Sequence, residues 1–286
     1  MMIDSPKQKN LLRRDGFTFK QFFAAHDRCA MKVGTDGVLL GAWTPLARAQ
    51  RVLDIGTGCG VIALMVAQRT GDNVQVDGIE LDARAAGQAG ENFALSPWSR
   101  RLRIIHGDIL DYASPGAAAV FAGQNTTGQY DVSPRAIEPY ELIVSNPPYF
   151  PVGIACSSPE RDSARYTATL THQRLLDAAR ALLAPSGLFS MVLPLEVGEN
   201  VIALARKQGW HLHYRTDVAD REGQPAHRVL LAFSPRPGEL VYSAMALRDA
   251  DRRYSPAYRA LTGEFYLSLS GVATSGRQAA DSGAAG

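Results

Sequence analysis

The sequence predicts an α/β fold built on a mostly parallel sheet. Three observations predict it. Short apolar runs alternate with helical stretches along most of the chain. The runs Val52–Ile55 and Leu142–Val144 are nearly continuous in apolar residues, as strands covered on both faces are. The first of these runs feeds a glycine-rich turn that opens a helix.

The elements follow in order. Arg51–Ile55 reads as the first strand, and the turn Gly56-Thr57-Gly58-Cys59-Gly60 ends it. The stretch VIALMVAQR is apolar on most of its surface and reads as a buried helix. VQVDGIE is the second strand, ending at Glu80, and a helix runs from about Ala83 to Leu95. RLRIIHG is the third strand, ending near Asp108, and YELIVSN the fourth, over about Tyr140–Asn146. Then come a helix over Thr171–Leu183, a strand Leu188–Leu193, a helix Glu196–Gln208, and strands at Trp210–Asp217 and Arg228–Phe233. Two segments break the pattern. Ser114–Pro139 is rich in Ala, Gly, Gln, Asn and Thr, with Pro115, Pro134 and Pro139, and reads as a mobile insertion. The tail Gly271–Gly286 is small and polar, and reads as disordered.

Composition bounds the function. The chain has 286 residues, 46% hydrophobic and 20% charged, enough apolar material for a real core and too much for a wholly disordered chain. No apolar run reaches the roughly 20 residues of a membrane helix. The polar, basic start lacks the apolar stretch of a secretory signal. Cys29, Cys59 and Cys156 are far apart and form no CxxC knuckle, so the cytoplasm is expected. Net charge is only +2, yet residues 1–34 carry seven Lys or Arg against three Asp. Such an arm either lies along phosphates or is a solvated, frayed terminus.

A strand, a tight glycine turn and a helix make a nucleotide-binding geometry, because glycine lets the backbone approach a ligand and helix N–H groups face it. The turn reads Asp54-Ile55-Gly56-Thr57-Gly58-Cys59-Gly60. It is not the G-x-G-x-x-G dinucleotide fingerprint, and no G-K-[ST] follows, which excludes a P-loop. Asp54 would repel a pyrophosphate. It suits a positively charged ligand end, or it is a structural acid bonding turn amides.

VLDIGTGCG, with Glu80 ending the second strand, resembles motifs I and II of class I S-adenosylmethionine methyltransferases. The resemblance implies a Rossmann-like fold with a seven-stranded, mostly parallel sheet and helices on both faces. It implies S-adenosyl-L-methionine as cofactor and S-adenosyl-L-homocysteine as product. Gly56, Gly58 and Gly60 would pack on its methionine part, Glu80 would accept from its ribose hydroxyls, and Asp108 from its adenine amino group. Vicinal hydroxyls are two donors and a carboxylate accepts both. Asp82 is the alternative to Glu80.

After the fourth strand stands Asn146-Pro147-Pro148-Tyr149, which matches the N-P-P-Y motif of amino methyltransferases. An exocyclic amine is a poor nucleophile because its lone pair is delocalised into the ring. Acceptors on its N–H groups return that lone pair toward the methyl group. By resemblance these acceptors are the Asn146 side-chain oxygen and the Pro147 carbonyl, with Asn146 also bordering the cofactor. Proline fixes φ, so the carbonyls point reproducibly. Tyr149 offers a face for stacking a base, worth about 1–3 kcal/mol in single-strand binders. A sulfonium is already a strong electrophile, so this chemistry asks for no metal. The motif alone leaves adenine-N6, cytosine-N4, guanine-N2 and glutamine-N5 open.

Phe19–Trp43 and Glu91–Leu102 closely resemble the tRNA1(Val) (adenine-37-N6)-methyltransferase family. The resemblance runs from about Phe17 to Phe233, and the 114–139 insertion and the tail depart from it. It implies tRNA as partner, a basic arm or lid over 1–34, and a methyltransferase domain over 35–270 before the tail of 271–286. Lys32, Thr35 and Asp36 would border the cofactor; the alternative is that Thr35 and Asp36 build a helix N-terminus. His26 and Cys29 read as a satisfied histidine and a small buried thiol rather than a metal pair. Arg161, Arg165, His172 and Arg174 face either RNA phosphates or solvent. A ribosomal-RNA guanine or protein glutamine methyltransferase, or a non-catalytic RNA-binding protein of the same fold, stands as the alternative function.

Overall fold

The computed structural model describes residues 15–46, 49–115, 124–125, 138–148 and 170–268. The arm before residue 15, most of the 114–139 segment, Tyr149, Arg161, Arg165 and the 271–286 tail lie outside the described residues.

Two short strands, β1 (Gly16–Thr18) and β2 (Phe23–Ala25), pair antiparallel ahead of helix α1 (Thr35–Trp43). The main sheet takes β3 (Arg51–Ile55), β4 (Gln75–Glu80), β5 (Leu102–His106), β6 (Gln124–Asn125), β7 (Tyr140–Ser145), β8 (Leu183–Pro194), β9 (His211–Arg221), β10 (Ala226–Ser234) and β11 (Val241–Arg248). Helices α2 (Val61–Arg69), α3 (Ala83–Ala94), α4 (Ile109–Tyr112), α5 (His172–Leu182), α6 (Leu195–Lys207) and α7 (Pro256–Thr262) connect or flank them. The spatial order is β11-β9-β10-β8-β7-β3-β4-β5-β6. Pairings through β5, β4, β3, β7 and β8 are parallel, as is β9 with β11; β10 runs against both its neighbours.

The expected seven strands are therefore extended by one at each edge. β11 was not legible because its first four residues are exposed and carry no buried alternation. β6 is two residues long and lies inside the segment read as an insertion.

Period-two alternation splits each strand between two apolar layers. Val52, Val76, Ile104, Leu142 and Val144 face one layer, with α1, α2, α3 and α7. Leu53, Ile55, Ile79, Ile105 and Ile143 face the other, with α4, α5 and α6. Helix α2 is buried from Val61 to Ala67, which explains its lack of a polar face.

Within the 1–34 segment expected as a basic arm or lid, two aromatic residues between β1 and β2 are packed. Phe19 and Phe22 are buried in the first layer and stack at 4.4 Å between ring centroids. Phe19 bridges to Tyr266, and Lys20 Nζ donates to the Gly263 carbonyl at 2.6 Å. Burying a phenylalanine side chain is worth about 1.5–3 kcal/mol, so this hairpin is core, not appendage.

Candidate active site

Strands β3, β4, β5 and β7 run parallel, so their carboxyl ends lie along one edge. The chain moves outward from β3 through β4 and β5, then returns to pair β7 on the other side of β3. That is a topological switch point, where open α/β sheets bind ligands.

The glycine turn leaves β3 at this point. Gly56 and Thr57 donate their amides to the Ile79 carbonyl at 2.9 and 3.1 Å, which ties the turn to β4. Gly56, Gly58 and Gly60 all have positive φ, at 68°, 56° and 82°. Their surroundings differ. A methyl group at Gly56 or Gly58 would meet nothing within 4 Å, whereas one at Gly60 would lie 2.4 Å from the Phe93 ring. Gly56 and Gly58 thus border open space. Gly60, also expected beside the cofactor, has the Phe93 ring packed against it under the start of α2.

Asp54 is fully buried. Its Oδ2 accepts from Thr57 Oγ1 at 2.6 Å and from the Ala63 amide at 3.2 Å. Burial pushes its pKa up to about 7 against those two bonds. Its Oδ1 is buried with no hydrogen-bond partner among the described residues. The Thr57 and Ala63 bonds are those a structural acid would make, one of its two readings.

Glu80 ends β4 beside the turn. Its Oε2 accepts from the Gly58 amide at 2.9 Å and its Oε1 from the Asp82 amide at 3.0 Å. Burial raises its pKa, and these backbone bonds oppose the shift. A carboxylate has about four acceptor sites, so two bonds leave capacity for donors from the open space. Asp82 is committed elsewhere: it caps α3 by accepting from the Ala85 amide at 2.8 Å. Asp108 follows β5 and caps α4 through the Leu110 amide at 2.9 Å.

On the other side of β3, Ser145 Oγ donates to the Ile55 carbonyl at 3.0 Å. This bond locks the end of β7 to the strand that carries the glycine turn. Asn146 comes next. Its Oδ1 is buried and has no hydrogen-bond partner among the described residues. Most buried polar atoms are paired, and an unpaired one costs about 1–3 kcal/mol. A lone buried acceptor at the carboxyl edge is what a donor from a substrate would satisfy. Pro147 is buried and Pro148 half-buried behind it.

Sequence reasoning missed two residues that assemble this edge. Gln88 and Asn92 sit one helical turn apart on the inner face of α3 and are almost fully buried. Asn92 Nδ2 donates to the carbonyls of Ala25 and Cys59 at 2.9 and 2.8 Å, joining β2 to the glycine turn. Gln88 Oε1 accepts from the Arg28 amide at 3.0 Å and from the Cys29 thiol at 3.1 Å. The neighbouring Cys29 and Cys59 thiols influence each other, raising Cys29 and lowering Cys59. His26 Nδ1 accepts from the Val33 amide at 3.1 Å, and burial followed by the Lys32 charge lowers its pKa. Two amides on a helix look solvated in sequence; only their burial reveals them.

Residues 31–121 match the family model described as "Methyltransferase small domain". A tRNA1(Val) (adenine(37)-N6)-methyltransferase of Pectobacterium carotovorum is 52% identical over 266 residues, covering 93% of this chain and 99% of the relative. The protein of that name from Cronobacter sakazakii is 54% identical over 259 residues, covering 91% and 98%. The chain belongs to the tRNA1(Val) (adenine(37)-N6)-methyltransferase family. A solved structure from Agrobacterium tumefaciens, titled a predicted O-methyltransferase, aligns with a TM-score of 0.58 at 18% identity, covering 80% of this chain and 96% of that one. It shares the fold.

In this methyltransferase family member, the 32–36 segment leads into α1. Helix α1 begins at Thr35, its N-cap is Gly34, and no side chain caps it. Lys32 and Thr35 are exposed. Asp36, in the first turn, forms an ion pair with Arg228 of β10. At α5, Thr171 is the N-cap and accepts from the Arg174 amide at 3.3 Å, and burial lowers the His172 pKa. Among the described residues no cluster of three His, Cys, Asp or Glu could hold a metal ion, and no helix is long and apolar enough to cross a membrane.

Proposed function

We propose that the chain transfers a methyl group from S-adenosyl-L-methionine to the exocyclic N6 of adenine 37 in tRNA1(Val). The observation that carries this is the buried, unpartnered Oδ1 of Asn146, held beside the glycine turn by the Ser145–Ile55 bond. The names of the relatives supply the substrate.

The residues present fit the cofactor. Gly56 and Gly58 leave open space where a methionine portion would lie. Glu80 keeps acceptor capacity for two ribose hydroxyls, and Asp108 stands at the end of the next strand for the adenine amine. Bound S-adenosylmethionine supplies an electrophilic sulfonium methyl. Asn146 Oδ1 and the Pro147 carbonyl accept the two N–H groups of the target amine. That holds the amine toward tetrahedral geometry and aims its lone pair. As the amine lone pair took the methyl and the S–C bonding pair stayed on sulfur, positive charge would appear on nitrogen, and these two oxygens would stabilise it until a proton leaves to water. The protein's contribution is positioning and fixed dipoles. Tyr149, next in the motif, is assigned to stacking the base. Lys32 and Thr35 are assigned to the rim of the cofactor site. An adenine in an anticodon loop is cheaper to unstack than one in a duplex, which suits such a pocket. A tRNA substrate implies work in the cytoplasm.

Mass spectrometry of nucleosides from tRNA1(Val), after incubation with purified protein and S-adenosylmethionine, tests this. N6-methyladenosine at position 37 is expected. Methyl transfer to ribosomal RNA or to a glutamine peptide instead, with tRNA unmodified, would overturn it.

A further inference from the structure

The first turn of α1 lies against the first turn of α2. A methyl group placed on Gly37 would sit 3.5 Å from Val61 and 3.8 Å from Ile62, the residues that follow the glycine turn. Asp36 precedes Gly37, and its carboxylate leaves this contact to pair with Arg228 Nε on β10. Arg228 is remote in sequence but not in the sheet. It stands opposite Pro194, the last residue of β8, while β8 in turn pairs Met191 with Ser145 of β7. Arg228 is therefore at the carboxyl edge, two strands from the one that delivers Asn146.

The guanidinium is held in turn. Its Nη1 lies 3.2 Å from Asp220 Oδ1 on β9, and His227 Nε2 is 3.2 Å from the same oxygen. The side chains of Arg228 and Asp36 are only 24% and 16% exposed. A pair at that depth is screened less than a surface pair, and losing one partner strands a half-buried charge. Gly34 gives α1 no side-chain cap, and the ion pair ties the first turn of this helix to β10.

We propose that Arg228 is a positioning residue of the cofactor site. Through Asp36 it fixes the start of α1, and the 32–36 segment before it, against the glycine turn. Arg228 touches neither cofactor nor base. The inference rests on the reading of this edge as a methyl-transfer site.

Its test uses full-length protein with Arg228→Gln, Arg228→Lys, Asp36→Asn and the Arg228→Gln/Asp36→Asn double variant. Calorimetry with S-adenosylmethionine needs no RNA. Arg228→Gln and Asp36→Asn are each expected to weaken binding by about tenfold, the double variant no more than the worse single one, as for residues acting through one contact. Arg228→Lys keeps the charge and is expected to recover part of the loss. In steady-state methylation the cost should fall on the KM for S-adenosylmethionine more than on kcat. Should Arg228→Gln fail to fold, Arg228→Lys and Asp36→Asn carry the same comparison. Unchanged cofactor affinity in variants that melt at lower temperature would overturn the positioning role and leave a purely structural pair. So would additive losses in the double variant. Wild-type protein that binds cofactor yet leaves tRNA unmethylated would sink the substrate reading instead, without touching this one.

Discussion

Glu80 Oε2 accepts the Gly58 amide at 2.9 Å, so the acid that ends β4 also holds the middle of the glycine turn. One side chain holds the turn and, in the proposed site, also offers the acceptor. Glu80→Ala removes both roles, and Glu80→Gln retains one acceptor at the same reach. Charge-assisted hydrogen bonds contribute about 1.5–3 kcal/mol each, so Glu80→Ala should weaken S-adenosylmethionine binding by roughly 10- to 100-fold. Glu80→Gln should fall between it and wild type. Calorimetry on folded variants measures this, and an unchanged Kd for Glu80→Ala would remove the residue from the site.

Two glycines of one turn should fail in different ways. At Gly58 an alanine finds open space and bears only the strain of a positive φ, roughly 1–2 kcal/mol. At Gly60 the same methyl meets the Phe93 ring at 2.4 Å in addition. Gly60→Ala should therefore lower Tm well beyond Gly58→Ala. Gly58→Ala should lose cofactor affinity out of proportion to its small loss of Tm. Parallel thermal melts and cofactor titrations check the pair, and identical ranking in both measurements would contradict the assignment.

Asp54 predicts a pH trend. Its carboxyl ionises near pH 4 when unfolded and near 7 when folded. Between those values the folded state holds the extra proton, so the group's contribution to stability falls as pH rises. Asparagine keeps an acceptor for Thr57 and Ala63 but has no charge to bury. The Tm of Asp54→Asn relative to wild type should rise from pH 5 to pH 8. Any penalty for its added amide is a constant offset, so the slope is the readout. A flat difference would mean that Asp54 titrates like an exposed carboxylate.

Much of this was legible in sequence because the strands around the site are covered on both faces and read as apolar runs. Motif residues such as Glu80 and Asn146 stand at strand ends, and the parallel register brings those ends to one edge. Other parts left no such mark. The strands of the β1–β2 hairpin are three residues each, too short to show a period. Asn92 reaches a carbonyl 67 residues away, and Asp36 pairs with a residue on a strand near the other end of the sheet. Asp54 and Gly60 sit inside the motif, where spacing left Asp54 as either a ligand contact or a structural acid and the resemblance placed Gly60 beside the cofactor. Spacing does not carry the packing of Thr57 and Phe93 around them.

Asn146 offers the sharpest test of the chemistry. Its side-chain oxygen is already desolvated and, among the described residues, unpaired, so part of the cost of preparing the acceptor is met in the fold. Its interaction should be strongest where charge develops on the target nitrogen, which places its effect in kcat rather than KM. Removing one preorganised group of this kind costs on the order of 3 kcal/mol, about a hundredfold in rate, by analogy with single oxyanion-hole deletions. Asn146→Ala should therefore lower single-turnover methylation of tRNA about a hundredfold at saturating S-adenosylmethionine. Cofactor affinity should stay within a few fold, because the ribose and methionine contacts assigned to Glu80, Gly56 and Gly58 are intact. Tyr149→Ala should differ by raising the KM for tRNA as well, since it is assigned to capturing the base. An Asn146→Ala protein that methylates adenine near the wild-type rate would defeat the mechanism and the placement of the active site at this edge.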